Sequence, residues 1–364
     1  MRALIIFLFL IHGGIHLMGF LKAYQWAEIG QLTQPVSRPL GLLWLLATTL
    51  FLIATVAFLF KSYSWPLIAF AAVLLSQILV FLYWQDAKFG SLPNLLLLVV
   101  ALGAFGMQRF ERIYRQDVHV AVSENPAGSG VVAEGELKRL PPPVQRYLRY
   151  TGVVGKPRVY NMRLVFEGQM REKGKPWFPF TSEQHNFFEH PSRLFFMKAR
   201  FKGLPTYGYH TYRATTAGML IKLAGWIPVV DLKDPLLFPT ETVTFLNDLC
   251  LFAPSALLDE RIEWEPIDAL SARVIFTNQG SRVSAVLYFD ETGRLTNFVS
   301  EDRYDISEMK AYPFSTPVGN YKDFSGYRLP GFGEAVWHYP DGEFAYGEFT
   351  ILSVEYNVAN PHKP

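Results

Sequence analysis

The sequence predicts an N-terminal four-helix transmembrane bundle followed by an α+β domain, with a large curved antiparallel sheet and one or two packed helices. Three observations carry this. The long uninterrupted apolar runs nearly all lie before residue 111, although hydrophobic residues make up 50% of the whole 364-residue chain. A stretch rich in Gly, Ser and Pro follows them. Beyond Arg158 the apolar pattern shifts towards a period of two, the signature of strands. The expected layout is a four-span domain over 1–110, a juxtamembrane segment and linker over 111–139, and a soluble α+β domain over 140–364.

Four segments reach the roughly 20 apolar residues needed to cross a hydrocarbon core. They are approximately Ala3–Leu21, Pro39–Phe60, Trp65–Trp84 and Ser91–Gln108. Lys61 is the one charge between Arg38 and Asp86, and it falls in the turn joining the second and third spans. Trp26, Trp65 and Trp84 lie near span ends, where amphipathic aromatics favour the headgroup layer. The first span is read as a retained helix and not a signal peptide. Histidines interrupt it, it lacks a small-x-small cleavage site, and three spans follow.

With the N-terminus inside, Arg2, Lys61, Arg109, Arg112 and Arg115 are cytoplasmic, against Lys22, Arg38 and Lys88 outside. This Lys/Arg bias favours a cytoplasmic soluble domain by a small margin, and "RFERIYR" after the fourth span is its strongest part.

"HVAVSENPAGSGVVAEGE" has linker composition. In "LPPPVQRYLRYTGV" the prolines suit a first helical turn, so a short helix is expected from about Pro142 to Tyr150, ended by Gly152. Strands are expected in "RVYNMRLVFEGQMRE", "FPFTSEQHNFFEHP", "RLFFMKARF", "YGYHTYRATT", "ALSARVIFTNQ", "RVSAVLYFD", "RLTNFVSEDRY" and "EFAYGEFTILSVEYN". "HYPDGEF" reads as a hairpin with Asp341-Gly342 at its tip. One helix interrupts the strands. "TETVTFLNDLCLFAPSALLDE" offers Thr240 as N-cap, Glu241 in the first turn, and Pro254 as a break before a second short turn.

A net charge of +2, with no basic stripe, does not suggest a nucleic-acid partner. The lone Cys250 excludes an intramolecular disulfide and any paired-cysteine metal motif. There is no G-x-S-x-G elbow, H-E-x-x-H, phosphate-binding loop or strand-linked G-x-G-x-x-G. No metal or other cofactor is implied, and no catalytic residue is assigned.

"IHGGIHLMGFLKA", "LTQPVSRPLGLLWLLA", "DAKFGSLPN", "LPPPVQRYLRYTGV" and "ETVTFLNDLCLFAPSALLD" together resemble a family of bacterial membrane proteins filed as domain of unknown function 6544. The resemblance covers both halves and implies a membrane-anchored protein of the bacterial inner membrane with no assigned reaction. At the level of fold, the soluble half is weakly similar to the half-barrels of periplasmic lipoprotein carriers.

Two sets of candidate residues follow. His12, His16 and Gly19 share one face of the first span, and with Gln77 of the third they form an expected polar, close-packing seam inside the bundle. The open readings are a helix contact, a proton or small-ligand site, and metal or haem ligation, which the other spans support with no histidine. "WQDAKFGSLPN" is expected to anchor two helices through Asp86 and Lys88, or else to close a pocket with Trp84 and Asn94. In the soluble half, His185 and His190 are too awkwardly spaced for one metal.

Aromatic density in the early strands suggests an apolar cavity or an ordinary core, with Phe187, Phe196, Tyr207 and Tyr209 as candidate lining. His210, Glu241, Asn247 and Asp248 complete the candidate ligand-binding set. Glu241 and Asp248 share a helix face two turns apart, awkward for acting on one atom. The expected function is binding or handling of a lipid-like ligand at the membrane surface, with membrane lipids as surroundings. The alternatives are a membrane-bound enzyme acting on an apolar substrate, and a scaffold for an unidentified envelope protein.

Overall fold

The computed structural model describes residues 2–126 and 128–359. Ala127, in the expected linker, and residues 360–364 at the end of the expected soluble domain lie outside it. The chain divides into two compact units: residues 1–110 with 224–226, and residues 111–223 with 227–364.

The first unit is helical. It contains α1 (Arg2–Ala23), α2 (Arg38–Leu59), α3 (Trp65–Leu82), the single turn α4 (Trp84–Ala87), and the first part of α5 (Ser91–Glu124). Proline in the first turn starts both α2 and α3. Among the described residues four helices are long and apolar enough to cross a membrane. Their inward faces carry small residues, with Ala54, Ala69, Ala72 and Ala101 buried beside Phe9 and Phe51, and Ala47 beside Trp44 and Leu79. Outward leucines such as Leu4, Leu67 and Leu74 are exposed. An apolar outer surface over a small-residue interior is the inverse of a water-soluble bundle.

Helix α5 continues past the fourth expected span to Glu124, through residues read as the start of the linker. Ala121 and Ser123 do not break a helix, whereas Pro126 cannot supply the next amide.

The second unit holds the rest of α5, then α6 (Pro142–Thr151), closed by Gly152 in the left-handed conformation at φ 75°. The strands are β1 (Asn161–Met170), β2 (Phe178–Phe187), β3 (Ser192–Phe201), β4 (Leu204–Arg213), β5 (Thr216–Leu223) and β6 (Ile227–Leu232). After α7 (Leu237–Phe252) come β7 (Ile262–Pro266), β8 (Ser271–Asn278), β9 (Ser281–Phe289), β10 (Leu295–Ser300), β11 (Tyr304–Asp305) and β12 (Lys310–Ala311). The last are β13 (Phe314–Gly319), β14 (Lys322–Phe324), β15 (Tyr327–Leu329), β16 (Phe332–Tyr339) and β17 (Gly342–Tyr356).

Thirteen strands form one antiparallel sheet in the order β6-β5-β4-β3-β2-β1-β17-β16-β13-β10-β9-β8-β7. Helix α7 contacts β4 and β5 on one wing and β9 and β10 on the other. In a flat sheet β5 and β10 would stand about 38 Å apart at ~4.8 Å per strand, far beyond the reach of a single helix. The sheet therefore curls around α7, which is buried along almost its whole length. Helix α6 packs on the same side, where Tyr147 donates to the Cys250 carbonyl at 2.6 Å.

Two local expectations are corrected. Helix α7 starts at Leu237, so Thr240 lies inside it and is no N-cap. Tyr339 pairs with Gly342, so the β16–β17 turn residues are Pro340 and Asp341, one position earlier than expected. Strands β5, β6, β7, β12, β13, β14 and β15 were not anticipated individually.

Candidate functional site

A cavity of about 530 Å³ lies inside the curled sheet, against α7. Its walls are mainly apolar: Phe166, Phe195, Met197, Leu251, Phe314 and Trp337 are representative. One wall is polar, and residues from β2, β3 and α7 build it together. Arg193 donates from Nε to Asp248 Oδ2 at 2.9 Å and from Nη1 to Glu241 Oε2 at 3.2 Å. The Gln184 and Asn186 amides donate to the same Asp248 oxygen at 2.7 and 2.9 Å. The Gln184 carbonyl oxygen accepts from Arg193 Nη2 at 3.0 Å. Asn247 donates to Thr316 Oγ1 at 2.7 Å, tying α7 to β13.

Sheet register explains the assembly. Gln184 pairs with Phe195 and Phe195 with His210, so these three side chains share the inner face. Arg193 is two residues from Phe195 and joins them. On α7, Glu241 and Asp248 are two turns apart, and the guanidinium spans the gap between them.

Burial sets the electrostatics. It pushes the Asp248 carboxyl above its ordinary range, and Arg193 with the two amides reverses only part of that. The His210 imidazole is pushed down to about 4 by burial, opposed by Glu241 and reinforced by Arg193 and Arg303. His210 is therefore neutral at physiological pH. Part of its ring faces the cavity, so its accessible surface is intermediate although protein surrounds it.

Arg303 also lines the cavity. Its guanidinium lies 3.9 Å from the Phe314 ring centroid and 5.0 Å from that of Trp337. Nη1 donates to Tyr346 Oη at 3.0 Å, while the buried Nε has no hydrogen-bond partner among the described residues.

The expected ligand set is thus split. His210, Glu241, Asn247 and Asp248 line the cavity. Phe187, Phe196, Tyr207 and Tyr209 do not. Phe196 and Tyr209 occupy the opposite sheet face, against Tyr114 of α5, with ring centroids 5.2 and 5.6 Å away. There Tyr209 donates to Asp117 at 2.7 Å and Tyr114 pairs with His185 Nδ1 at 2.8 Å. Arg115 bonds Glu183 at 2.7 Å on the same face. Arg193, Gln184 and Arg303 were missed by sequence reasoning, and no local pattern marks them.

In the first unit the histidine seam closes differently from expectation. His12 Nε2 lies 2.8 Å from Asn94 Oδ1 and 3.1 Å from Ser76 Oγ. Gln77 reaches this network one step removed, accepting from Asn94 Nδ2 at 3.1 Å and donating to Ser91 Oγ at 3.1 Å. Gly19 lies against Trp44, where a Cβ would come within 2.2 Å of the indole. Asp86 accepts from the Thr33 and Gln34 amides at 2.8 and 3.1 Å, fastening the α1–α2 loop. Among the described residues no group of three His, Cys, Asp or Glu is placed to hold a metal ion.

Helices able to cross a membrane, followed by an antiparallel sheet curled around a helix and a cavity, define the class of protein. The chain belongs to the family of unknown function DUF6544, which matches residues 130–349. No curated protein matches it. Among solved structures, the chain is similar to a LolA superfamily protein from Nitrosomonas europaea at a TM-score of 0.33 and 8% identity. That match covers 62% of this chain and 94% of the other.

Proposed function

We propose that this is a multipass inner-membrane protein whose second unit binds a lipid-like apolar ligand in the cavity beside α7. One observation carries the reading: a cavity of about 530 Å³ with mainly apolar walls. Its size falls within the usual range for small-molecule sites, roughly 300–1,000 Å³, and its few convergent polar groups fit the same pattern. The apolar wall takes the ligand's hydrocarbon. Arg303, which lines the same cavity, offers a cationic hydrogen-bond donor to an oxygen on the ligand.

The Lys/Arg bias favours a cytoplasmic position for the second unit. Arg115, part of that bias, is paired with Glu111 and Glu183.

Native mass spectrometry of the detergent-extracted protein tests the binding. Co-purifying lipid is expected, and Ile221→Trp, which fills the cavity from β5, removes it. Absence of bound lipid across several detergents overturns the proposal.

A second reading, an enzyme acting on an apolar substrate, is favoured by His210, Glu241 and Asp248 lining one cavity. Against it, both carboxylates are engaged by Arg193. Lipid turnover lost in His210→Phe but retained in Cys250→Ala would support it.

A further inference from the structure

The Arg303 guanidinium lies against the rings of Phe314, Trp337 and Tyr346, all three in the wall of the cavity beside α7. Two features set it apart from Arg193 in the same wall. Among the described residues Arg303 forms no ion pair, whereas Arg193 is paired with both Glu241 and Asp248. Arg303 Nη2 also makes no hydrogen bond among the described residues and, unlike Nε, is not buried, so it keeps accessible surface.

The carboxylates around the cavity do not balance this charge. Glu241 and Asp248 are held by Arg193. Asp305 accepts from the Tyr339 hydroxyl at 2.6 Å and from the Ser307 amide at 2.8 Å. Glu334 alternates along β16 with Ala335 and Trp337, so its side chain points to the other face of the sheet. Glu172 is exposed. The half-buried guanidinium is left with aromatic faces and one neutral hydroxyl. Cation–π contact stabilises its charge but provides no acceptor for its remaining N–H groups.

His210 faces the same part of the cavity. Burial holds its imidazole neutral, and the Arg303 charge reinforces this. Neither ring nitrogen has a hydrogen bond among the described residues, and both keep accessible surface. A neutral imidazole offers one donor and one lone pair, so it adds a hydrogen bond to a headgroup without balancing a charge. Charge recognition falls to Arg303.

We propose that the ligand of this cavity is an anionic amphiphile, with its carboxylate or phosphate group bound by Arg303 through Nη2. Its chain lies along Phe166, Phe195, Met197 and Leu251. This rests on the reading of the cavity as a site for a lipid-like ligand, and adds the sign of the headgroup charge. A guanidinium meets carboxylate and phosphate oxygens with charge-assisted hydrogen bonds, roughly twice as strong as neutral ones. An alcohol or ester on the same chain forgoes that gain.

Full-length protein in phosphatidylcholine nanodiscs is titrated at neutral pH with radiolabelled hexadecanoate, hexadecyl phosphate, hexadecanol and methyl hexadecanoate. Nanodiscs carrying Ile221→Trp, with the cavity filled, give the background partition into lipid. Saturable binding of an anionic probe is expected, at least about tenfold tighter than that of the uncharged probes. Arg303→Gln should abolish this preference while hexadecanol still binds, and Arg303→Lys, which keeps the charge, should retain part of it. If Arg303→Gln fails to fold, Arg303→Met, which keeps an apolar stem against Phe314, takes its place. The tighter of hexadecanoate and hexadecyl phosphate identifies the headgroup as carboxylate or phosphate. Equal affinity of the native chain for charged and uncharged probes, or an unchanged preference in a folded uncharged variant, overturns the proposal and leaves the lipid reading standing. Saturable binding of none of the four probes overturns both.

Discussion

Arg193 Nε and Asp248 Oδ2 are 2.9 Å apart inside the second unit, and both residues are less than a tenth exposed. A charge taken out of water persists only with a partner of opposite sign and with its remaining hydrogen bonds met. Glu241, Gln184 and Asn186 meet those needs, so the cluster acts as one unit. Arg193→Met leaves two carboxylates buried without a cation and should cost about 3–5 kcal/mol. Combining it with Glu241→Gln and Asp248→Asn should recover most of that loss. Chemical denaturation of the three variants measures both steps. Equal instability of the single and triple variants would contradict the assignment.

His210 gives the cavity a pH signature. Its folded-state value is near 4 against an ordinary 6.5, so between these the unfolded chain binds more protons than the folded one. The stabilisation is present above pH 6.5 and is lost as pH falls through about 4. Asp248, raised by burial, works in the opposite sense: its contribution is present below its ordinary 3.8 and is lost as pH rises through its folded value. The difference between the native chain and His210→Phe isolates the histidine. That difference should change by at most about 3 kcal/mol across the window, less where water in the cavity screens the ring. Denaturation midpoints from pH 4 to 7 report it, and a flat difference would rule it out.

The helices able to cross a membrane, and most long strands, were legible because each has a strong period or an unbroken apolar run. The orientation of the aromatic residues was not. In "RLFFMKARF" both parities are apolar, because α7 and the cavity cover one face of β3 while α5 covers the other. With both faces buried, alternation no longer separates inside from outside, and Phe196 was taken for its neighbour Phe195. Arg193 was equally hidden. Its carboxylate partners stand 48 and 55 residues away in sequence, and an arginine at a strand start reads as a surface residue. Within the histidine seam, the face of α1 was readable from its four-residue spacing. The partner Asn94 was not assigned to it, because it sits 82 residues downstream in a segment that looked like an interfacial loop.

That seam predicts a specific pattern of coupling. His12 bonds Asn94 directly, while Gln77 joins only through Asn94. A double-mutant cycle of His12→Phe with Asn94→Leu should give a coupling of about 0.6–1.7 kcal/mol, as for hydrogen bonds between membrane helices. The same cycle between His16→Phe and Gln77→Leu should give none beyond error, since no bond joins that pair. Steric-trap or SDS unfolding of the full chain measures both. Stronger coupling for His16 with Gln77 would place the seam's polar contact on the other histidine.

Cys250 is fully buried on α7, beside the carbonyl that receives the Tyr147 hydroxyl. Burial pushes its thiol far above the ordinary range, and the Asp248 carboxylate adds to the shift. Thiolate is the reactive form, so two barriers, access and ionisation, protect this side chain in the folded state. Labelling with a maleimide at pH 7 should therefore be negligible in the native protein and complete in denaturant. Because α7 fills the trough of the curled sheet, the labelling rate also reports how often the helix leaves it. Arg193→Met should speed labelling in step with its lost stability, whereas Cys250 in the seam variants of the first unit should label at the native rate. Rapid modification of the native chain would mean that α7 does not hold its place against the sheet, and the cavity beside it would have no fixed wall.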